Sequence, residues 1–320
     1  MLRRVLIVLF IVLVVLGFIL FRNIGPTFAC SLRATSKFQP GLSLHTITSG
    51  GTRRCYWLVV PESSSGSNGM AVVFSLHGFA SNPRGQRSYS QWDRAAAPHQ
   101  AVLVYPQGSG FPLRWNALPG AYPGSPDDVL FIKDLLVELE AALPIDPERV
   151  YLTGFSNGGS MTLRLLCEAG ELFAAAGTVS TPVTESIAAC TMDHAVPLIA
   201  FHGTDDPVVD YEGWVVDAST PGDGPARPFQ RETVLGFETW TRIWAEKNGC
   251  KLPSEILSEG EGVIERRYRG CVGGTMLEAF TISSGGHTWP GGRPIPFVGM
   301  TSKAISASET MWEFFESQAR

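Results

Sequence analysis

The chain has 320 residues, with 25 basic and 30 acidic side chains and a net charge of −5. That balance offers no basic field and argues against nucleic acid as a partner. An apolar content of 44% suits a globular domain, and the roughly 290 residues behind the N-terminal leader suffice for one large α/β core.

In chain order, Arg3 and Arg4 precede an apolar run from Val5 to Phe21 that is broken only by Gly17. A positive flank before an apolar core is the layout of a secretory signal or a signal-anchor. Thr27-Phe28-Ala29 before Cys30 is a mediocre cleavage site, and a lipid-attachment reading of Cys30 is weak because no Leu-type residue precedes the small pair. Residues 1–29 therefore read as a signal peptide or a transmembrane signal-anchor, with anchoring through residues 5–21. Residues 30–44 read as a short lead-in and residues 45–320 as the folded domain. Either way the domain lies outside the cytoplasm, secreted or membrane-anchored, because Arg3 and Arg4 stay inside. Six cysteines agree with an oxidising compartment.

Strand and helix signals then alternate. Glu62–Gly69 reads as a loop between two strands, and Ala71–Ser75 as a strand running into Leu76-His77-Gly78-Phe79. Gln107–Pro126 and Pro221–Pro228 are Pro/Gly-rich loops, candidate walls of a substrate site. Asp127 and Asp128 read as N-caps of a helix over Val129–Leu136. Arg149–Thr153 reads as a buried strand, Ser160–Leu166 as a helix and Pro197–Phe201 as another buried strand. Thr233–Ala245 has helical apolar spacing, Arg266–Arg269 reads as the solvated face of a strand, and Met276–Ile282 alternates as a strand does. Ser306–Phe315 closes the chain as an amphipathic helix. This order argues for an α/β fold, a mainly parallel central sheet with helices on both faces.

The chemistry centres on Gly154-Phe155-Ser156-Asn157-Gly158-Gly159, a Gly-x-Ser-x-Gly pattern between a strand and a helix. Such a turn exposes the serine hydroxyl at the N-terminal end of a helix dipole. A serine needs a base, and the base needs an orienting acid. The loop His202-Gly203-Thr204-Asp205-Asp206 follows one strand and Gly286-His287-Thr288-Trp289 follows a later one, in the order serine, acid, histidine. His287 is the candidate base. His202, at a strand end before the acid loop, reads as structural, and His77 suits an oxyanion loop. The residues themselves leave Asp205 and Asp206 both open as the acid. There is no Cys-x-x-Cys or His cluster with ligand spacing, so neither metal nor cofactor is expected.

With these pieces in place the chain resembles the secreted α/β-hydrolases described as polyhydroxybutyrate depolymerase-like or feruloyl esterase-like serine esterases. The resemblance runs from about Cys55 to the C-terminus. It rests on Arg54–Pro61, Leu76-His77-Gly78, Trp115-Asn116, Asp127-Asp128-Val129, Gly154–Gly159, His202–Val209 and Gly286–Gly292. It implies a serine esterase that cleaves small-molecule or polymeric carboxylic esters through an acyl-enzyme, with Ser156, Asp206 and His287 as catalytic residues. It implies an oxyanion hole from the backbone N–H groups of Phe79 and Asn157. Many relatives carry cysteine at the position of Phe79, so the shape of the acyl pocket stays open. Trp115 and Trp289 are candidate substrate contacts. Relatives commonly pair cysteines placed like Cys250 and Cys271. Cys167 with Cys190 and Cys30 with Cys55 complete one of the fifteen pairings that six cysteines permit. A lipase- or peptidase-like hydrolase is the alternative enzyme, and a catalytically silent surface-binding module the alternative class.

Overall fold

The computed structural model describes residues 34–62, 69–118, 122–216 and 232–318. Its strands are β1 (Gly41–Ser49), β2 (Thr52–Val60), β3 (Met70–Leu76), β4 (Val102–Pro106), β5 (Ile145–Phe155), β6 (Ala175–Val179), β7 (Val183–Thr184), β8 (Leu198–Gly203), β9 (Gly213–Trp214), β10 (Val234–Leu235), β11 (Glu255–Gly260), β12 (Val263–Tyr268) and β13 (Leu277–Ile282). The helices, numbered along the chain, are α1 (Pro83–Ser90), α2 (Trp92–Ala96), α3 (Asp128–Ala142), α4 (Asn157–Ala169), α5 (Glu185–Ala188), α6 (Phe237–Lys247) and α7 (Ala307–Ser317).

Ten strands form one sheet in the order β1-β2-β4-β3-β5-β6-β8-β13-β12-β11. The six from β4 to β13 run parallel. Antiparallel pairs close both edges, β1-β2 on one side and β12-β11 on the other. The inner strands are apolar on both faces because helices cover both. On β3, Val72, Phe74 and Leu76 pack with α3, α4 and α6, while Ala71 and Val73 face the layer of α2 and α7. This is the period-two alternation of a strand serving two cores. α7 begins with an N-cap, in which Ser306 accepts a hydrogen bond from the Glu309 N–H.

Several local readings change. The helix expected from Thr233 starts at Phe237, because Val234 and Leu235 pair with β7 and β9 in a small second sheet. Asp127 alone caps α3, its carboxylate accepting the Val129 and Leu130 N–H groups. Asp128 is fully buried and pairs with Arg54 at 2.6 Å. Arg266 and Arg267 on β12 are half-buried and ion-paired, with Glu238 at 2.9 Å and Glu278 at 2.5 Å respectively.

Two disulfides tie the described residues. Cys167–Cys190 joins the end of α4 to the segment after α5, and Cys250–Cys271 closes the base of the β11-β12 hairpin ahead of β13. The expected partner of Cys55, Cys30, lies outside the described residues, as do residues 5–21 and the loop Pro221–Pro228. Among the described residues no helix is long and apolar enough to cross a membrane.

Candidate active site

The parallel strands deliver three loops to one end of the sheet. β5 ends at Phe155 and α4 starts at Asn157, leaving Ser156 alone at the turn with φ 53° and ψ −121°. A left-handed backbone is unusual for serine and costs about 1–3 kcal/mol. The surroundings enforce it. A Cβ on Gly154 would lie 2.2 Å from the Gly158 oxygen, and one on Gly158 would lie 2.4 Å from the Leu76 oxygen. Glycine at both positions lets strand, turn and helix close this tightly. Ser156 N–H donates to the Val179 carbonyl at 2.9 Å, and the Ser156 carbonyl accepts from Ser160 N–H at 3.1 Å. Both ends of the residue are held.

β8 leads into the loop carrying Asp206, and β13 into the loop carrying His287. The two meet: His287 Nδ1 donates to Asp206 Oδ2 at 2.7 Å. The other oxygen, Oδ1, accepts the N–H groups of Val208 and Val209, each at 2.8 Å. Burial alone would raise the Asp206 pKa. The hydrogen bond from His287, the charges of His287 and His202 and the Val209 N–H outweigh it and hold the carboxyl below its ordinary value. The backbone of His287 is fixed through its N–H to the Val298 carbonyl at 2.7 Å. Its ring lies 4.8 Å from the ring of Phe155, the residue before Ser156. Among the described residues the Ser156 hydroxyl makes no hydrogen bond to His287. The structure thus joins acid to histidine directly, and Phe155, the residue before the serine, packs against that histidine.

The other candidates have partners outside the acid–histidine pair, though His202 Nε2 also lies 3.6 Å from Asp206 Oδ2. Asp205 is exposed and accepts from the Thr204 hydroxyl at 3.0 Å. His202 is buried, donates Nε2–H to the Val209 carbonyl at 2.9 Å, and has its pKa lowered by burial. His77 is fully buried, donates Nδ1–H to the Gly78 carbonyl at 2.8 Å and accepts Gly108 N–H at Nε2 at 3.0 Å. Burial pushes its pKa down to about 4. With both ring nitrogens engaged, it is a neutral strut under the Gly78-Phe79 segment.

Neither Phe79 nor Asn157 gives its backbone N–H to a carbonyl among the described residues. Trp115 braces the two segments that carry them. Its N–H donates to Asn157 Oδ1 at 2.7 Å, its carbonyl accepts from Asn157 Nδ2 at 3.2 Å, and its indole N–H donates to the His77 carbonyl at 2.9 Å. The next residue is held as well: Asn116 N–H donates to Asp128 Oδ2 at 2.7 Å, and the Asn116 carbonyl accepts from Arg164. Sequence reasoning missed this network, because Arg54, Asp128 and Arg164 are far apart in the chain.

Trp115 and Trp289 differ from their expected place as substrate contacts. Both are 0% exposed, and the Trp289 indole N–H donates to Ser308 at 3.0 Å. Their rings pack inside, and no face is open to a ligand. A residue that sequence reasoning did not single out is Phe297. It has φ 66°, is fully exposed, and precedes Val298, which holds the His287 backbone. Val208 and Met300 are also exposed on the loops that hold Asp206 and Gly286. The composition of Gly291–Gly299 signals a loop but nothing about where it lies.

A family model described as Phospholipase/Carboxylesterase matches residues 130–215. The chain is 28% identical over 280 residues to a putative esterase, NocK, of Nocardia uniformis subsp. tsuyamanensis, covering 84% of this chain and 80% of that one. It is 27% identical over 232 residues to feruloyl esterase B of Piromyces equi, covering 71% of this chain but 41% of that protein. In structure it resembles an acetyl xylan esterase from Aspergillus awamori, with a TM-score of 0.59 at 15% identity over 86% of this chain and 99% of that one. The chain has the α/β-hydrolase fold, and the proteins it resembles over most of its length are named as esterases. As that fold requires, the candidate residues stand at the carboxyl ends of parallel strands. Among the described residues no group of His, Cys, Asp or Glu is gathered to hold a metal ion.

Proposed function

We propose that this protein is an exported serine esterase working through an acyl-enzyme. Ser156 Oγ attacks the ester carbonyl as His287 takes its proton. Asp206 keeps the proton on Nδ1 of His287 and stabilises the imidazolium. The Phe79 and Asn157 N–H groups receive the oxyanion, and donors of this kind are worth about 3 kcal/mol each. His287 then protonates the leaving alcohol and activates the water that releases the acid. The observation that carries the reading is the buried Asp206–His287 pair, bonded at 2.7 Å and resting against Phe155, with Ser156 next in the chain at φ 53°.

The substrate class we favour is that of the feruloyl esterase-like, acetylxylan esterase-like and polyhydroxybutyrate depolymerase-like enzymes, with residues 45–320 as the catalytic domain. Relatives named as feruloyl esterases and an acetylxylan esterase support the first two, the third rests on the sequence resemblance, and the exposed Phe297 suits an acyl or sugar ring. Export rests on the disulfides and on the leader reading of residues 1–29. Cell fractionation that finds the active protein in the cytoplasm would contradict it. Activity is tested by a panel of nitrophenyl acyl esters, methyl ferulate, acetylated xylan and hydroxybutyrate oligomers, run on the wild type and Ser156→Ala. The variant is expected to stay folded and lose turnover. Near-normal turnover in a folded variant would refute the mechanism.

A further inference from the structure

We propose that a pocket behind the oxyanion segment binds an anionic group of the substrate, so that the enzyme prefers esters carrying a carboxylate remote from the scissile bond. This rests on the esterase reading above. The pocket, about 430 Å³, is lined among others by Arg53, Arg54, Gly108, Ser109, Arg114 and Ser125. Among the described residues its lining holds three arginines and no aspartate or glutamate, in a chain whose net charge is −5.

Two of those arginines each carry a buried nitrogen with no hydrogen-bond partner among the described residues. Arg54 is 4% exposed; its Nη2 serves Asp128 at 2.6 Å and the Gln107 carbonyl at 3.1 Å, while Nη1 has no partner. Arg114 places its guanidinium 4.0 Å above the Tyr122 ring and gives Nη1 to the Pro112 carbonyl at 3.1 Å, while its buried Nε has no partner. Arg53 is exposed, with Nη2 donating to Thr46 at 3.2 Å. The nearby acids are committed: Asp128 to Arg54 and Asn116 N–H, and Asp127 to the start of α3. An orphaned guanidinium N–H is costly in a buried position, and an anionic oxygen is its best complement.

The pocket is coupled to the site through one loop. Ser109 and Arg114 exchange backbone hydrogen bonds at 2.9 Å, and Leu113 accepts the Ala80 N–H at 2.8 Å. Gly108 N–H reaches His77 at 3.0 Å, and Trp115 reaches Asn157 at 2.7 Å. The loop bearing Arg114 therefore abuts the Phe79 segment on one side and lines the pocket on the other. A substituent that lies past the oxyanion segment meets the arginines. A uronic acid on a polysaccharide ester has that chemistry, and so does a phosphate.

The test has a binding arm and a kinetic arm, both with the intact disulfide-bonded protein at constant ionic strength. Folded Ser156→Ala is titrated with glucuronate, inorganic phosphate and neutral glucose, read by thermal shift. Glucuronate is expected to protect and glucose not, and Arg53→Glu and Arg114→Gln are expected to abolish the protection. In the kinetic arm, esters matched with and without a remote carboxylate are compared. The charged-to-neutral ratio of kcat/KM is expected to fall about tenfold in Arg114→Gln, the effect of one lost charge-assisted hydrogen bond. Arg53 is exposed, so Arg53→Glu keeps the test open should Arg114→Gln fail to fold. Protection by phosphate alone, protection by neither anion, or an unchanged ratio in both variants would overturn the proposal. Binding without hydrolysis of any ester would fault the esterase reading and leave the anion site standing.

Discussion

Replacing Asp206 with asparagine is expected to remove most of the activity while leaving the fold nearly intact, because of how the carboxylate is shared. Oδ1 accepts two backbone N–H groups, from Val208 and Val209, at 2.8 Å each, and Oδ2 accepts His287 Nδ1–H at 2.7 Å. An asparagine has one oxygen and one NH2 to place in those two positions. Turning the NH2 toward Val208 and Val209 would set donors against donors and cost two buried hydrogen bonds, about 1 kcal/mol or more each. The amide oxygen therefore stays on the backbone and the NH2 faces His287. Nδ1 must then accept, the ring proton moves to Nε2, and the nitrogen turned to the serine side no longer takes a proton. A wrong tautomer of this kind costs about 10⁴ in rate, near 5 kcal/mol at 1.36 kcal/mol per decade. Asp205→Asn alters only an exposed contact to Thr204, so a change of about twofold is expected, as for ordinary surface substitutions. The assay is kcat/KM on a nitrophenyl ester for both variants, with circular dichroism and urea midpoints to confirm folding. A loss under tenfold in Asp206→Asn, or a larger loss in Asp205→Asn, would refute the tautomer argument.

Three further outcomes are expected. Trp115→Phe deletes the 2.9 Å indole bond to the His77 carbonyl and should lower kcat about tenfold with little change in KM, because loosening the oxyanion donors weakens interactions made in the transition state. A matched rise in KM with kcat intact would contradict that brace. Stability should fall on acidification. His77 is held neutral with its pKa near 4 against an ordinary 6.5, so the unfolded chain binds the extra proton between those values, and about 3 kcal/mol is lost as pH drops through that window. His202 acts in the same direction below 6.5, whereas the depressed Asp206 contributes stability above 3.8 that disappears only as pH falls through its lower folded value. Urea midpoints that do not move between pH 7 and pH 5 would count against this. Removing the Cys250–Cys271 bridge, 21 residues apart, by double alanine substitution should cost about 3 kcal/mol; a loss below about 1 kcal/mol would show that the excursion it closes is already ordered in the unfolded chain.

Much of the site's chemistry is local and could be read along the chain. A serine between small residues, after a buried strand and before a helix, needs only neighbours to define its turn, and periods of two and 3.6 residues mark the elements around it. The same holds for the order in which serine, acid and histidine loops leave successive strands. The choice between Asp205 and Asp206 is not local. They are adjacent in the turn that follows β8, and the path of that turn sends Asp206 inward to His287 and leaves Asp205 in solvent. The tryptophans went the same way: an aromatic beside a motif reads equally as platform or core, and only packing put Trp115 and Trp289 inside. The start of α6 was decided by strands β7 and β9, which capture Val234 and Leu235 before the helix can include them. The buried pair of Arg54 with Asp128, 74 positions apart, left no signal in composition. Its reason is energetic: a charge taken into the interior must find its counter-charge there, and which one it meets is settled by the order of strands in the sheet.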